Sequence, residues 1–155
     1  EMDKEMIRRW NDRVSDDDVV YHLGDFTLGG TNMAQKFFEK LKGRIYVLKG
    51  SHDQSWYGKR VLFSLSGQVV EFLGTTKEIS YNDKKIQLNH YAQRVWWLSH
   101  YGSYHLYGHS HGRLPSVGRS MDVGVDCHNF YPVKLEDVIL KLKNERNMNQ
   151  LAESD

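Results

Sequence analysis

Four short clusters of aspartate and histidine punctuate the chain, each just after an apolar stretch. They are Tyr21-His22-Leu23-Gly24-Asp25, Lys49-Gly50-Ser51-His52-Asp53, Asn89-His90-Tyr91 and Gly108-His109-Ser110-His111-Gly112. Carboxylate and imidazole suit Mn, Fe, Ni, Zn or Co. No thiolate accompanies them, which argues against a structural zinc finger. An aspartate can bridge two ions, and two histidines separated by one residue can serve one ion each. The flanking glycines allow the tight backbone such a turn needs. Two ions about 3.5–4 Å apart would clamp a phosphate, activate a water and stabilise the leaving oxygen.

Each of these residues also has a structural reading. Asp25 can cap a turn, His90 can be a hydrogen-bonded core imidazole, and His109 and His111 can be ordinary turn residues. His52 can simply bond to Asp53, and Ser51 reads better as a turn residue than as a ligand. His22, His100, His105 and His128 read as packing or surface histidines. Asp122 and Asp126 read as turn closers, and Cys127 as a buried thiol. Trp96, Trp97, Tyr91 and Tyr101 make an aromatic-rich stretch that is either core or a rim on which a base could stack. Arg94 and Arg113 lie near the histidine loops in sequence and are candidates for phosphate contact.

The elements that must position these groups follow from periodicity. Met2, Met6, Trp10 and Val14 recur every four residues and predict a helix with one apolar face. A second helix is predicted over residues 33 to 42, capped by Asn32, ended by Gly43, with Ala34, Phe37, Phe38 and Leu41 inward. Leu135 to Leu142 begins a closing helix. Val95 to Leu98 reads as the start of a short one, and residues 55 to 62 as a short helix or irregular chain. Strands are predicted at Val19 to Leu23, Arg44 to Leu48, Val69 to Phe72, Lys77 to Tyr81, Lys85 to Leu88, Tyr104 to Tyr107 and Met121 to Val125. Asn82-Asp83 turns the hairpin between the fourth and fifth. Helices alternating with strands predict an α/β sheet with helical cover, with antiparallel pairing in the middle. The site candidates then fall at the carboxyl ends of strands, where α/β proteins place their sites.

The chain has 155 residues, and it reads as one domain over 1–155. A fold of this length buries roughly 70% of its unfolded surface. Lys and Arg number 21 against 20 for Asp and Glu, a net charge of +1. That balance does not indicate binding to nucleic acid or membrane by bulk charge. Cys127 is the only cysteine, so no intrachain disulfide forms, and a reducing, cytoplasmic setting is the simple expectation. No apolar run approaches a membrane span, and no signal peptide is visible.

Taken in order, Gly24-Asp25, Gly50-Ser51-His52-Asp53, His90 and Gly108-His109-Ser110-His111 resemble the motifs of the calcineurin-like metallophosphoesterases, particularly their small bacterial and archaeal members. Tyr21 to Phe26, and Val123-Gly124-Val125-Asp126 followed by Pro132-Val133, resemble that family too. The resemblance runs over nearly the whole chain. It implies a β-sandwich flanked by helices, with the site at the sheet edges. It implies that Asp25 bridges up to two divalent ions, that His90 and His109 bind the second ion, and that His111 binds the first. His52 would assist the leaving group, with Asp53 orienting it. The substrate would be a phosphate ester, a small molecule or nucleotide-like compound, and most readily a phosphodiester attacked by a metal-activated hydroxide.

Two departures stand out. The family's opening Asp-x-His strand has no counterpart, so the resemblance implies a domain lacking its first strand and incomplete at its N-terminus. Ser51 occupies the place of a metal-binding asparagine. One well-supplied ion is therefore expected ahead of two, and the alternative function is a catalytically impaired relative that binds metal or a partner. No pattern specifies an oligomer.

Overall fold

The computed structural model describes residues 2–125 and 128–152. Asp126 and Cys127 lie outside the described residues, and with them the turn and thiol expected there. The described chain forms three helices, α1 (Met2–Arg13), α2 (Thr31–Phe38) and α3 (Leu135–Leu142), and seven strands. The strands are β1 (Val19–His22), β2 (Arg44–Leu48), β3 (Glu71–Gly74), β4 (Thr76–Tyr81), β5 (Lys84–Asn89), β6 (Tyr104–Tyr107) and β7 (Ser120–Asp122). They make two sheets, ordered β1-β2-β3 and β4-β5-β6-β7. All pairings are parallel except the β4–β5 hairpin.

Alternation along the strands divides the core in two. Ile45 and Val47 of β2 face α1 and α2, where they meet Trp10, Val14, Ala34, Phe38 and Trp56. Leu48, with Leu23, faces the other sheet and packs with Ile86, Leu88, Leu106, Met121 and α3. In β1 the register places Val20 beside Ile45 and Tyr21 beside Tyr46, whose rings stack at 5.3 Å. Each sheet thus covers one face of the other. The result is a sandwich-like pair of sheets flanked by helices, as expected for an α/β fold of this kind.

Local differences from the sequence-based expectations have simple causes. The second helix ends at Phe38, not residue 42, and begins after Gly30 with no side-chain cap. Asn32 lies within it and accepts from Arg60 at 3.2 Å instead of capping. Gly43 stands at φ 106 and, with no residue of the helix beside it, leads into β2. Residues 55 to 62 take the irregular one of the two forms expected for them, with turns at 55–58, whereas the stretch after Val95 forms a single 3-10 turn at Ser99–Tyr101. In α1 the apolar stripe is buried at Trp10 and just past the helix at Val14, whereas Met2 is exposed.

Candidate metal centre

Parallel pairing brings the carboxyl ends of β1 and β2 together in one sheet, and those of β5 and β6 in the other. The four clusters follow these four ends: Asp25 after β1, Ser51 to Asp53 after β2, His90 after β5 and His109 after β6. A backbone bond from the Gly108 N–H to the His90 carbonyl, 3.1 Å, ties the last two loops. Close approach ties the first two. A Cβ on Gly24 would lie 2.6 Å from His90 Nδ1 and 2.7 Å from the Gly50 Cα, and a Cβ on Gly50 would collide with the Asp25 backbone and carboxylate.

Asp53 is the clamp of these loops. It is fully buried. Its Oδ2 accepts the backbone N–H groups of Asp25 and Gly50, each at 2.8 Å. Its Oδ1 accepts the Phe26 N–H at 3.0 Å and the indole N–H of Trp56 at 3.2 Å. Four donors replace the water this carboxylate loses on burial. Among the described residues its bonds run to loop backbone and Trp56, so its influence on His52 passes through the loop. The His52 N–H in turn donates to Asp25 Oδ1 at 2.7 Å, while the residue itself is exposed.

Asp25 stands at φ 57, a left-handed conformation that few non-glycine residues adopt. Its Oδ2 is 3.2 Å from His90 Nε2 and 4.0 Å from His109 Nδ1. His90 is buried, and its Nδ1 lies 2.8 Å from the Leu23 carbonyl oxygen. A carbonyl only accepts, so Nδ1 carries the proton and Nε2 presents a lone pair. That lone pair faces His109 Nδ1 at 3.1 Å as well as the Asp25 carboxylate. Two acceptors, Asp25 Oδ2 and His90 Nε2, thus face each other, and His109 Nδ1 meets them either as a donor or, around a cation, as a third ligand. Donors around a four-coordinate ion with bonds near 2.0–2.2 Å sit about 3.3 Å apart. Asp25, His90 and His109, whose ligand atoms all lie within 4.8 Å of one another, therefore fit one divalent ion. The Nδ1–H to carbonyl bond of His90 is the kind of outer contact that orients a ligating imidazole.

Ser51 is closer to this group than a turn residue need be. Its hydroxyl donates toward Asp25 Oδ2 at 3.2 Å and lies 3.5 Å from His90 Nε2. His109 and His111 both take positive φ, 63 and 50, in a turn closed by the Gly112 N–H to Asp122 Oδ2 bond of 3.0 Å. Asp122 is the turn closer expected of it. His111 is exposed and falls outside the three-residue grouping. The Tyr91 ring lies tilted against His109, centroids 4.6 Å apart, and edge-on to His90 at 4.8 Å. His22 lies beneath the loop, accepts the Gly24 N–H at 3.2 Å and packs edge-on to Phe26. Desolvation holds its pKa below the ordinary histidine range, against the pull of the Asp53 and Asp25 carboxylates.

Sequence reasoning missed a polar network beside this centre. Gln87 and Asn89 share one face of β5, between the apolar Ile86 and Leu88, and that alternation is the signal that marks them. His105, expected as a packing or surface residue, is fully buried. Its Nε2 accepts the Gln93 N–H at 2.9 Å, and its Nδ1–H donates to the Gln87 carbonyl at 3.1 Å.

No family model matches the chain. Over 164 aligned residues it is 31% identical to the uncharacterized protein MJ1445 of Methanocaldococcus jannaschii, across 97% of this chain and 82% of that protein. In structure it is similar to a protein of unknown function from Aquifex aeolicus, AQ665, with a TM-score of 0.62 over 90% of this chain and 84% of that one. At 18% identity that second likeness is one of fold alone.

Proposed function

We propose that this chain, which belongs to the same family as the Methanocaldococcus jannaschii protein MJ1445, is a metal-dependent phosphoesterase of the calcineurin-like type, acting on phosphodiesters. The observation that carries this reading is the convergence of the Asp25 carboxylate with ring nitrogens of His90 and His109 at the ends of parallel strands. A divalent ion held there supplies Lewis acidity toward phosphoryl oxygens and lowers the pKa of water.

The chain's own residues divide the remaining work. Asp25, His90 and His109 hold the ion, with Ser51 as a neutral oxygen beside them and His111 as a ligand to a second ion. His52, exposed next to the Asp25 carboxylate, gives a proton to the departing ester oxygen as the P–O bond breaks and water adds to phosphorus. Asp53 positions His52 by fixing the loop that carries it.

The test is elemental analysis of the purified protein together with hydrolysis of bis(p-nitrophenyl) phosphate in manganese or nickel. Bound transition metal and turnover, both lost in Asp25→Asn and His109→Ala, are the expected result. Bound metal with no turnover on any diester would favour the second reading, a metal-binding relative without catalysis. The three-residue grouping with Ser51 in the fourth place speaks for that reading.

A further inference from the structure

Beside the centre lies a recess of about 150 Å³ lined by Lys49, Thr75, Asn89, His90, Tyr91 and Gln93. No carboxylate lines it, and among the described residues none lies within 4.0 Å of the Lys49 ammonium. The orientation of its amides follows from one backbone group. The Trp97 N–H donates to Gln87 Oε1 at 2.6 Å, so the Gln87 oxygen is engaged and its Nε2 must donate. That nitrogen gives its two protons to Asn89 Oδ1 at 2.6 Å and to Gln93 Oε1 at 2.9 Å. Each of these two oxygens thereby has one lone pair engaged and is turned toward Gln87, while the NH2 groups of Asn89 and Gln93 remain to donate. Asn89 is only 7% exposed, and among the described residues nothing accepts from its amide nitrogen.

We infer that this recess is a subsite for a second anionic group of the substrate, a phosphate or carboxylate carried on the esterified moiety. The inference rests on the reading of Asp25, His90 and His109 as the holder of the phosphoryl group. The Lys49 ammonium and two amide NH2 groups supply donors, the Thr75 hydroxyl can add another, and an anion's oxygens only accept. A neutral base would leave the Lys49 charge without a counter-charge, because no carboxylate lines the recess. His90 lines both the centre and the recess, so the two bound groups are separated by a short spacer.

The test is calorimetric binding to manganese-loaded protein. The probes are methylphosphonate, phosphonoacetate, methylenediphosphonate and the one-carbon-longer homologues of the last two. The expected result is binding at least about tenfold tighter for a two-anion ligand than for methylphosphonate. The better of phosphonoacetate and methylenediphosphonate identifies carboxylate or phosphate as the second group. Lys49 is exposed, so Lys49→Ala and Lys49→Glu fold, and each should bring the ratio of affinities toward one. Asn89→Leu should do so where it folds. If methylphosphonate binds and no two-anion ligand does better, or if the Lys49 variants keep the full ratio, the subsite is wrong. If no phosphonate binds the loaded protein, the reading of the centre falls, and the subsite with it.

Discussion

Asp25 and His52 are joined by a single backbone bond, yet they have separable duties. Asp25 gathers ligand atoms and His52 stands free at the edge. His52→Ala should therefore leave metal content intact and slow hydrolysis according to the leaving group. Esters of poor leaving groups should lose about 10²-fold in kcat, and p-nitrophenyl esters much less, because p-nitrophenolate needs little protonation. Equal loss on both, measured across a series of aryl esters, would remove His52 from the proton transfer. Gly50 offers a second test. Its α-hydrogen faces the Asp25 backbone and carboxylate, and a methyl there must push Asp25 out of its left-handed geometry. Gly50→Ala should cost about 1–3 kcal/mol in urea unfolding and weaken metal binding more than Lys49→Ala does. The residue types of the centre were legible in the sequence, since each cluster announced itself by composition and by glycine. The role of Asp53 was not. Two of its four bonds reach back to Asp25 and Phe26 in the preceding loop, which no local pattern encodes.

At the scale of elements, the strands were read closely where alternation or a continuous apolar run was strong, and the helix ends were not. Residues 39 to 42 retain good helix formers, but Leu41 is needed in the core beside Phe38 and its N–H bonds back to the Phe38 carbonyl in a tighter turn. Tertiary packing thus closed the helix one turn early. The hairpin from β4 to β5 behaves as its sequence says. Asn82 and Asp83 have φ of 47 and 64, the two positive values that a two-residue hairpin turn demands. Asp83→Gly should remove the steric cost of the second and stabilise the protein by about 0.5–1 kcal/mol. For a chain of this size, thermal melts should rise by about 2–4 °C. An unchanged or lower midpoint would mean that Asp83 makes a compensating contact.

For the molecule as a whole, the buried histidine behind the recess couples stability to pH. Burial pushes the His105 imidazole down to about 4, only partly offset by its bond to the Gln87 carbonyl. The unfolded chain takes up this proton near the ordinary histidine value of 6.5, so between there and about 4 it binds more protons than the folded state. The stability associated with a neutral His105 is therefore complete above pH 6.5 and is lost progressively as pH falls toward 4. The full difference is on the order of 3 kcal/mol. Urea unfolding at pH 7.5 and 4.5 should show it, and His105→Gln, where folded, should show a smaller loss. Among the described residues no helix is long and apolar enough to cross a membrane.

The sequence by itself determined which side chains can ligate, that they sit at strand ends, and that the strands and helices alternate. These are local properties, set by residue type, by periodicity and by glycine. Only the tertiary structure decided which ligands meet. The proton of His90 is held on Nδ1 by the Leu23 carbonyl, 67 residues away, and this turns the Nε2 lone pair toward Asp25 and His109. The amides of Asn89 and Gln93 are likewise oriented by Gln87, which the Trp97 backbone fixes in turn. For His90 the neighbour that sets hydrogen-bond direction lies at the edge of the other sheet, and it is in place only once both sheets have closed on each other.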